Sequence, residues 1–189
     1  MRTSLSGDRM VSKADGRIQF RGRIDSLEAE AVEAQILADS LGEPFYRDAL
    51  GEVLDCLRRM LAAELKGSPF AAPPLFGLSA DELRRRTHDV GRFFGLAGHP
   101  LPDYRQGPLA ARLNTLRAHI REAELCAVRV FAGEEGGASS AGRDGAIPRR
   151  EDLAQALNRL SSALYWLFCR LVSGGPASAE PRRRESGPY

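Results

Sequence analysis

Apolar residues recur at helical spacing along most of the chain. Leu153, Leu157, Leu160, Leu164, Leu167 and Leu171 step by 4, 3, 4, 3 and 4, the seam of a helix packed on its neighbours. Leu113, Leu116, Ile120, Ala123, Ala127 and Val130 share one face of a helix running from about Leu109 to Phe131. Between Pro44 and Lys66 the apolar side holds Phe45, Leu50, Val53, Leu54, Leu57, Leu61 and Leu65, and Gly67 stops the helix. Ser79, followed three residues later by Glu82, caps a further helix over "ADELRRRTHDVGRFFG". The first helix is predicted from Asp25, where "DSLE" offers an N-cap and a glutamate three on, to about Leu41, with Gly42 ending it.

The segments between these helices carry breakers. Met1 to Arg23 is polar and punctuated by Gly7, Gly16 and Gly22, so it reads as irregular, with a short extended piece at "RIQFRGRI". "GSPFAAPPLFG" and "LAGHPLPDYRQGP" read as loops. Residues 132–148 read as a flexible insertion and 173–189 as a disordered tail, since both lack large apolar residues. No convincing strand and no internal repeat is found. The prediction is an all-α fold: a five-helix bundle with an irregular N-terminal segment, one domain over residues 1–172.

Composition narrows the chemistry by exclusion. The net charge is +2, and the basic run Arg182 to Glu185 lacks interleaved aromatics, so no nucleic-acid partner is expected. Lys13 and Lys66 are the only lysines among 27 basic residues; the arginines supply planar donors for phosphate or carboxylate. Cys56, Cys126 and Cys169 lie far apart inside apolar helical patterns, which reads as a reduced, cytoplasmic chain without disulfides. No CxxC or Cys/His cluster suggests a protein-held metal. No E-x-x-H pair suggests a ferritin-like metal bundle. His88, His99 and His119 show no ligand spacing. The N-terminus has no apolar signal region, and no apolar run approaches a membrane span.

Candidate chemistry sits beside the seams. Arg117, Arg121 and Glu124 fall at i, i+4 and i+7, one stripe about 90° round from the core face. Such a shoulder is where a bundle meets a neighbouring subunit or a cleft. Spacing leaves two readings open: a solvated face with a weak internal ion pair, or the wall of an anion site. Asn158, Ser161 and Tyr165 lie on the shoulder of the last helix. Asn and Ser are indifferent helix formers, and Asn158 is either a satisfied boundary residue or a ligand contact.

Four motifs in order resemble one family, the ATP:corrinoid adenosyltransferases. They are "VSKADGR" (Val11 to Arg17), "GRIDSL" (Gly22 to Leu27), "RAHIREAE" (Arg117 to Glu124) and "LNRLSS" (Leu157 to Ser162). The ethanolamine-utilisation branch is the more similar: "DRMVSKADGR", "GLSADEL" (Gly77 to Leu83) and "QALNRLSS" (Gln155 to Ser162) resemble its segments. The resemblance covers most of residues 5 to 172. Members of that branch carry an extra N-terminal region with a His and a CCxxC-type metal site. This chain begins after that point, so a metal requirement of that kind is not carried over. The propanediol-utilisation branch begins with a phosphate-wrapping loop, of which Ser6, Gly7 and Asp8 remain here.

The resemblance implies transfer of the 5′-deoxyadenosyl group of ATP to Co(I) of cobalamin, with release of triphosphate. The nucleophile is the metal, so no catalytic Ser, Cys or His is needed. Lys13, Arg17 and Arg121 would neutralise phosphates with Mg²⁺, Asn158 would hydrogen-bond the nucleotide, and Glu124 would lie near the ribose or metal, making Arg121 and Glu124 the catalytic pair. Asp25 and Arg117 match an intersubunit salt bridge, in a homotrimer. Phe93, Phe94 and Leu101, within or beside the "HPLP" stretch (His99 to Pro102), are candidates for the corrin face. The implied partners are a reductase supplying Co(I) and an adenosylcobalamin-dependent recipient enzyme. Two alternatives stand beside this reading: a non-catalytic corrinoid-binding or delivery protein, and a helical interaction module.

Overall fold

The computed structural model describes residues 2–6, 9–12, 16–131 and 149–174. Lys13, the insertion at 132–148 and the tail from 175 lie outside the described residues. Two short antiparallel strands, β1 (Arg2–Ser6) and β2 (Arg9–Ser12), precede the helices, with an irregularity between Ser4 and Ser6. Neither strand was expected from the sequence, because five- and four-residue segments are too short for alternation to stand out.

Six α-helices follow among the described residues: α1 (Gly16–Ser40), α2 (Pro44–Lys66), α3 (Ala80–His88), α4 (Val90–Phe94), α5 (Pro108–Phe131) and α6 (Glu151–Val172). The fold is the expected all-α bundle. Helix α1 starts nine residues before the position expected from its sequence, and "RIQFRGRI" is helical. The cause is a core stripe that begins early: Phe20, Ile24, Leu27, Ala31, Ala34 and Ala38 are all buried. Gly16 opens the helix against α5, where a Cβ would meet a Val130 methyl at 2.9 Å. Asp25 is therefore an exposed mid-helix residue and caps nothing.

The four long helices pack in the order α2–α1–α5–α6, and a thinner α6–α2 contact closes the ring. Helices α1 and α5 run antiparallel, as their ion pairs show: Arg23–Glu122 at 3.0 Å and Glu33–Arg112 at 3.1 Å. Burying each large core side chain, such as Leu57, Leu113 or Leu160 at 0% exposure, contributes about 1.5–3 kcal/mol. Helix α2 keeps its predicted ends, with Gly67 at φ 66° closing it. Its buried face is rotated, however: Tyr46, Met60 and Ala63 are inside, while Phe45 and Leu65 are exposed. On α5, Val130 is only half-buried and Phe131 takes its place against Phe20, ring centroids 5.2 Å apart.

Helix α3 packs on α6 from outside the ring. Ser79 and Glu82 form the expected capping box. The predicted single helix breaks at Asp89, whose side chain accepts from the Arg92 N–H and so caps α4. On α6 the leucine seam is buried through Leu167, and Ser161 turns into the bundle instead of lying on the shoulder.

Candidate functional site

The antiparallel α5–α6 pair sets the geometry. Asn158 Nδ2 donates to Glu124 Oε1 at 3.1 Å. Glu124 is half-buried and Asn158 exposed. Arg121, one turn before Glu124, is exposed and has neither ion pair nor hydrogen bond among the described residues. A cavity of about 340 Å³ opens here, lined by Glu124, Ala154, Gln155, Asn158 and Arg159. A second, of about 460 Å³, lies on the α3 side of Asn158 and Arg159. The α5–α6 shoulder thus offers a carboxylate, an amide and a guanidinium along open space, a set able to hold hydroxyls and phosphate oxygens.

Arg117 faces a different neighbour. Its guanidinium lies 5.1 Å from the Tyr165 ring centroid, and Nη1 donates to Asn114 Oδ1 at 3.3 Å. The Tyr165 hydroxyl stands 2.8 Å from His99 Nδ1, tying the 95–107 loop to α6. Burial, reinforced by the Cys169 thiol, pushes the Tyr165 phenol well above its ordinary value. Burial likewise pushes the Cys169 and Cys56 thiols up to about 11, so neither is a thiolate at neutral pH.

The remaining candidates lie elsewhere. Arg17 Nε donates to Glu64 Oε1 at 2.6 Å, and Arg21 Nε to Glu64 Oε2 at 2.5 Å. Glu64 is fully buried, so α2 holds the start of α1 by two arginines on one carboxylate. Asp25 is exposed on α1 without an ion pair among the described residues, and Arg117 does not reach it within one chain. Phe93 is flanked by Arg86 and Arg92, at 5.7 and 5.5 Å from its centroid. Phe94 turns the other way, onto Trp166 at 6.3 Å. Leu101 is 81% exposed on the loop, so these three do not share one pocket.

Two further groups, Glu64 and His99, hold elements together around the site. Glu64 continues the α2 stripe four residues after Met60, and a carboxylate in a core register signals a buried ion pair. His99 carried no signal, because its partner Tyr165 is 66 positions away.

Comparison with known proteins bears on this geometry. The corrinoid adenosyltransferase EutT of Escherichia coli strain K12 is 33% identical over 190 aligned positions, covering 98% of this chain and 64% of that protein. The corrinoid adenosyltransferase EutT of Salmonella typhimurium strain LT2 is 34% identical with the same coverage. The chain thus spans 64% of the length of the curated relatives it matches. No solved structure matches. The family model described as cobalamin adenosyltransferase matches residues 2–171. That span takes in both helices that bring Glu124 and Asn158 together, and the chain belongs to the cobalamin adenosyltransferase family.

Proposed function

We propose that this chain transfers the 5′-deoxyadenosyl group of ATP to Co(I) of cobalamin at the α5–α6 shoulder. The cobalt electron pair attacks C5′, the C5′–O5′ bond breaks, and its electron pair leaves on triphosphate. No side chain has to act as nucleophile. The protein's tasks are to position C5′ and to stabilise a departing anion.

The observation that carries this reading is the Asn158–Glu124 hydrogen bond, with the unpartnered Arg121 one turn away. Glu124 Oε2 accepts no hydrogen bond among the described residues, so it is available to a ribose hydroxyl or to Mg²⁺ bridging phosphates. Arg121 supplies charge to the phosphates, with Lys13 as a further cation for them; Arg17 is held on Glu64. A reductase supplies Co(I), and an adenosylcobalamin-dependent enzyme receives the product. The chain works as a homotrimer, with Asp25 and Arg117 meeting across the subunit boundary. Three free cysteines fit a cytoplasmic setting.

The test is an anaerobic assay with ATP and chemically reduced cobalamin. Formation of adenosylcobalamin and triphosphate in equal amounts is expected. Cobalamin binding without either product would replace this reading with a corrinoid carrier.

A further inference from the structure

Residues 95–107 form a strap between α4 and α5 that is braced within itself and tied to the bundle at one point. Gly95 and Gly107 bound it at φ 69° and 88°, the left-handed region where glycine turns without strain. Inside it, Asp103 and Gln106 cap one turn of 3-10 helix reciprocally. Gln106 Nε2 donates to the Leu101 carbonyl at 2.9 Å, and Arg105 grips the Asp103 carboxylate at 2.7 and 2.9 Å. Among the described residues, the 2.8 Å hydrogen bond between His99 and Tyr165 is the one that joins residues 97–106 to an α-helix. The strap carries Leu101 and Tyr104, 81% and 87% exposed, so this single contact places apolar surface beside the bundle.

Tyr165 does two separable things. Its hydroxyl meets His99 Nδ1. Its ring packs on Phe168, centroids 6.4 Å apart, and carries the Arg117 guanidinium at 5.1 Å. A phenylalanine in its place keeps both ring contacts and loses the hydrogen bond. Asn158 and Tyr165 stand at i and i+7 on one face of α6, about 10 Å apart along the axis. The nucleotide contacts proposed at Glu124 and Asn158 therefore lie two turns from the point where the strap meets the shoulder.

We propose that Tyr165 is a positioning residue for adenosyl transfer: through His99 it latches the 95–107 strap to the Arg117 end of the α5–α6 shoulder, and release of that hydrogen bond lets the strap move as one body about Gly95 and Gly107. The inference rests on adenosyl transfer taking place on that shoulder. A latched strap limits the access of water and fixes where the second substrate lies beside the nucleotide, and both act on the chemical step. One solvent-accessible hydrogen bond is weak enough to break and remake within a turnover.

Amide relaxation by NMR and steady-state kinetics on the full chain test this. Strap amides should have order parameters of about 0.85 in the parent and below about 0.6 in Tyr165→Phe and His99→Ala, with α5 and α6 unchanged. Each variant should lose about tenfold in kcat, the double variant no more than either, and KM for ATP should stay within twofold of the parent. His99→Gln keeps a hydrogen-bonding side chain and should recover at least half of the lost rate. The latch is overturned if the strap stays ordered in Tyr165→Phe, if the two losses multiply in the double variant, or if kcat holds while the strap loosens. A strap that loosens in both variants, in a protein whose parent forms no adenosylcobalamin, would support the latch and sink the adenosyl-transfer reading instead.

Discussion

Asn158 reaches across the α5–α6 seam to Glu124, its amide nitrogen 3.1 Å from the carboxylate. The bond is solvent-accessible, so it contributes little to stability. Asn158→Ala should change unfolding free energy by no more than about 0.5 kcal/mol. Its effect should fall on substrate: KM for ATP is expected to rise about tenfold, worth about 1.4 kcal/mol. Glu124→Gln keeps an acceptor for Asn158 and removes the charge, so kcat should fall more than KM rises. Steady-state kinetics on both variants check this, and an unchanged ATP KM in Asn158→Ala would remove the amide from the site.

Arg121 is exposed and unpartnered among the described residues. Nothing in the fold needs its guanidinium, so Arg121→Ala should leave the melting temperature unchanged. Adenosyl transfer should drop about 100-fold if the charge faces a leaving phosphate. Arg121→Lys should recover part of the rate, because a point charge replaces only some of the planar donors. A rate equal to the parent's would return this residue to ordinary surface.

Glu64 presents the opposite case, since its removal should act on the fold. It is fully buried and accepts from both Arg17 and Arg21, whose side chains are 20% and 11% exposed. Glu64→Gln leaves two guanidiniums facing no carboxylate, a loss of about 3–5 kcal/mol. Arg17→Gln should cost less, because Arg21 still neutralises the carboxylate. Urea unfolding of the parent and both variants gives the comparison, and a Glu64→Gln midpoint equal to the parent's would show that the cluster does not hold α1 to α2.

How far these residues could be read in advance depends on what places them. The α6 seam was legible because six leucines repeat without interruption. The start of α1 was hidden, because its stripe turns to alanine after Leu27 and Gly22 sits inside it. The break at Asp89 was read through because an aspartate is tolerated inside a helix as well as at its cap. Periodicity put Glu124 and Asn158 on shoulders but could not pair them: they are 34 positions apart, and only helix packing brings them together. The link between them came from motifs resembling one family.

Asp152 gives acid sensitivity a definite origin. Burial raises its carboxyl, but the Arg150 guanidinium and the N–H groups of Phe70 and Leu153 outweigh that and hold it below the ordinary value of 3.8. The Phe70 N–H donates to it at 2.8 Å, tying the loop after α2 to the start of α6. A carboxyl lowered in the folded state adds stability that is complete above its unfolded value and is lost as pH falls through the folded one. The stability gap between the parent and Asp152→Asn should be constant from neutral pH to about pH 5 and should narrow below pH 4. Melting curves across pH 2.5 to 7 measure it; a gap that widens in acid would contradict the assignment.

In the proposed homotrimer, Asp25 of one protomer would pair with Arg117 of the next. Asp25 is exposed with no ion pair among the described residues. Arg117 gives one hydrogen bond, to Asn114, and stacks on Tyr165, leaving guanidinium donors for a carboxylate from outside. Its position over Tyr165 pre-orients it, which lowers the entropy cost of pairing. Asp25→Arg sets two like charges against each other at the boundary and should shift sedimentation towards monomer, with loss of activity. Asp25→Arg combined with Arg117→Asp restores opposite charges in reversed order and should recover the trimer. A single variant that stays trimeric, or a double variant that stays monomeric, would show that another contact closes the assembly.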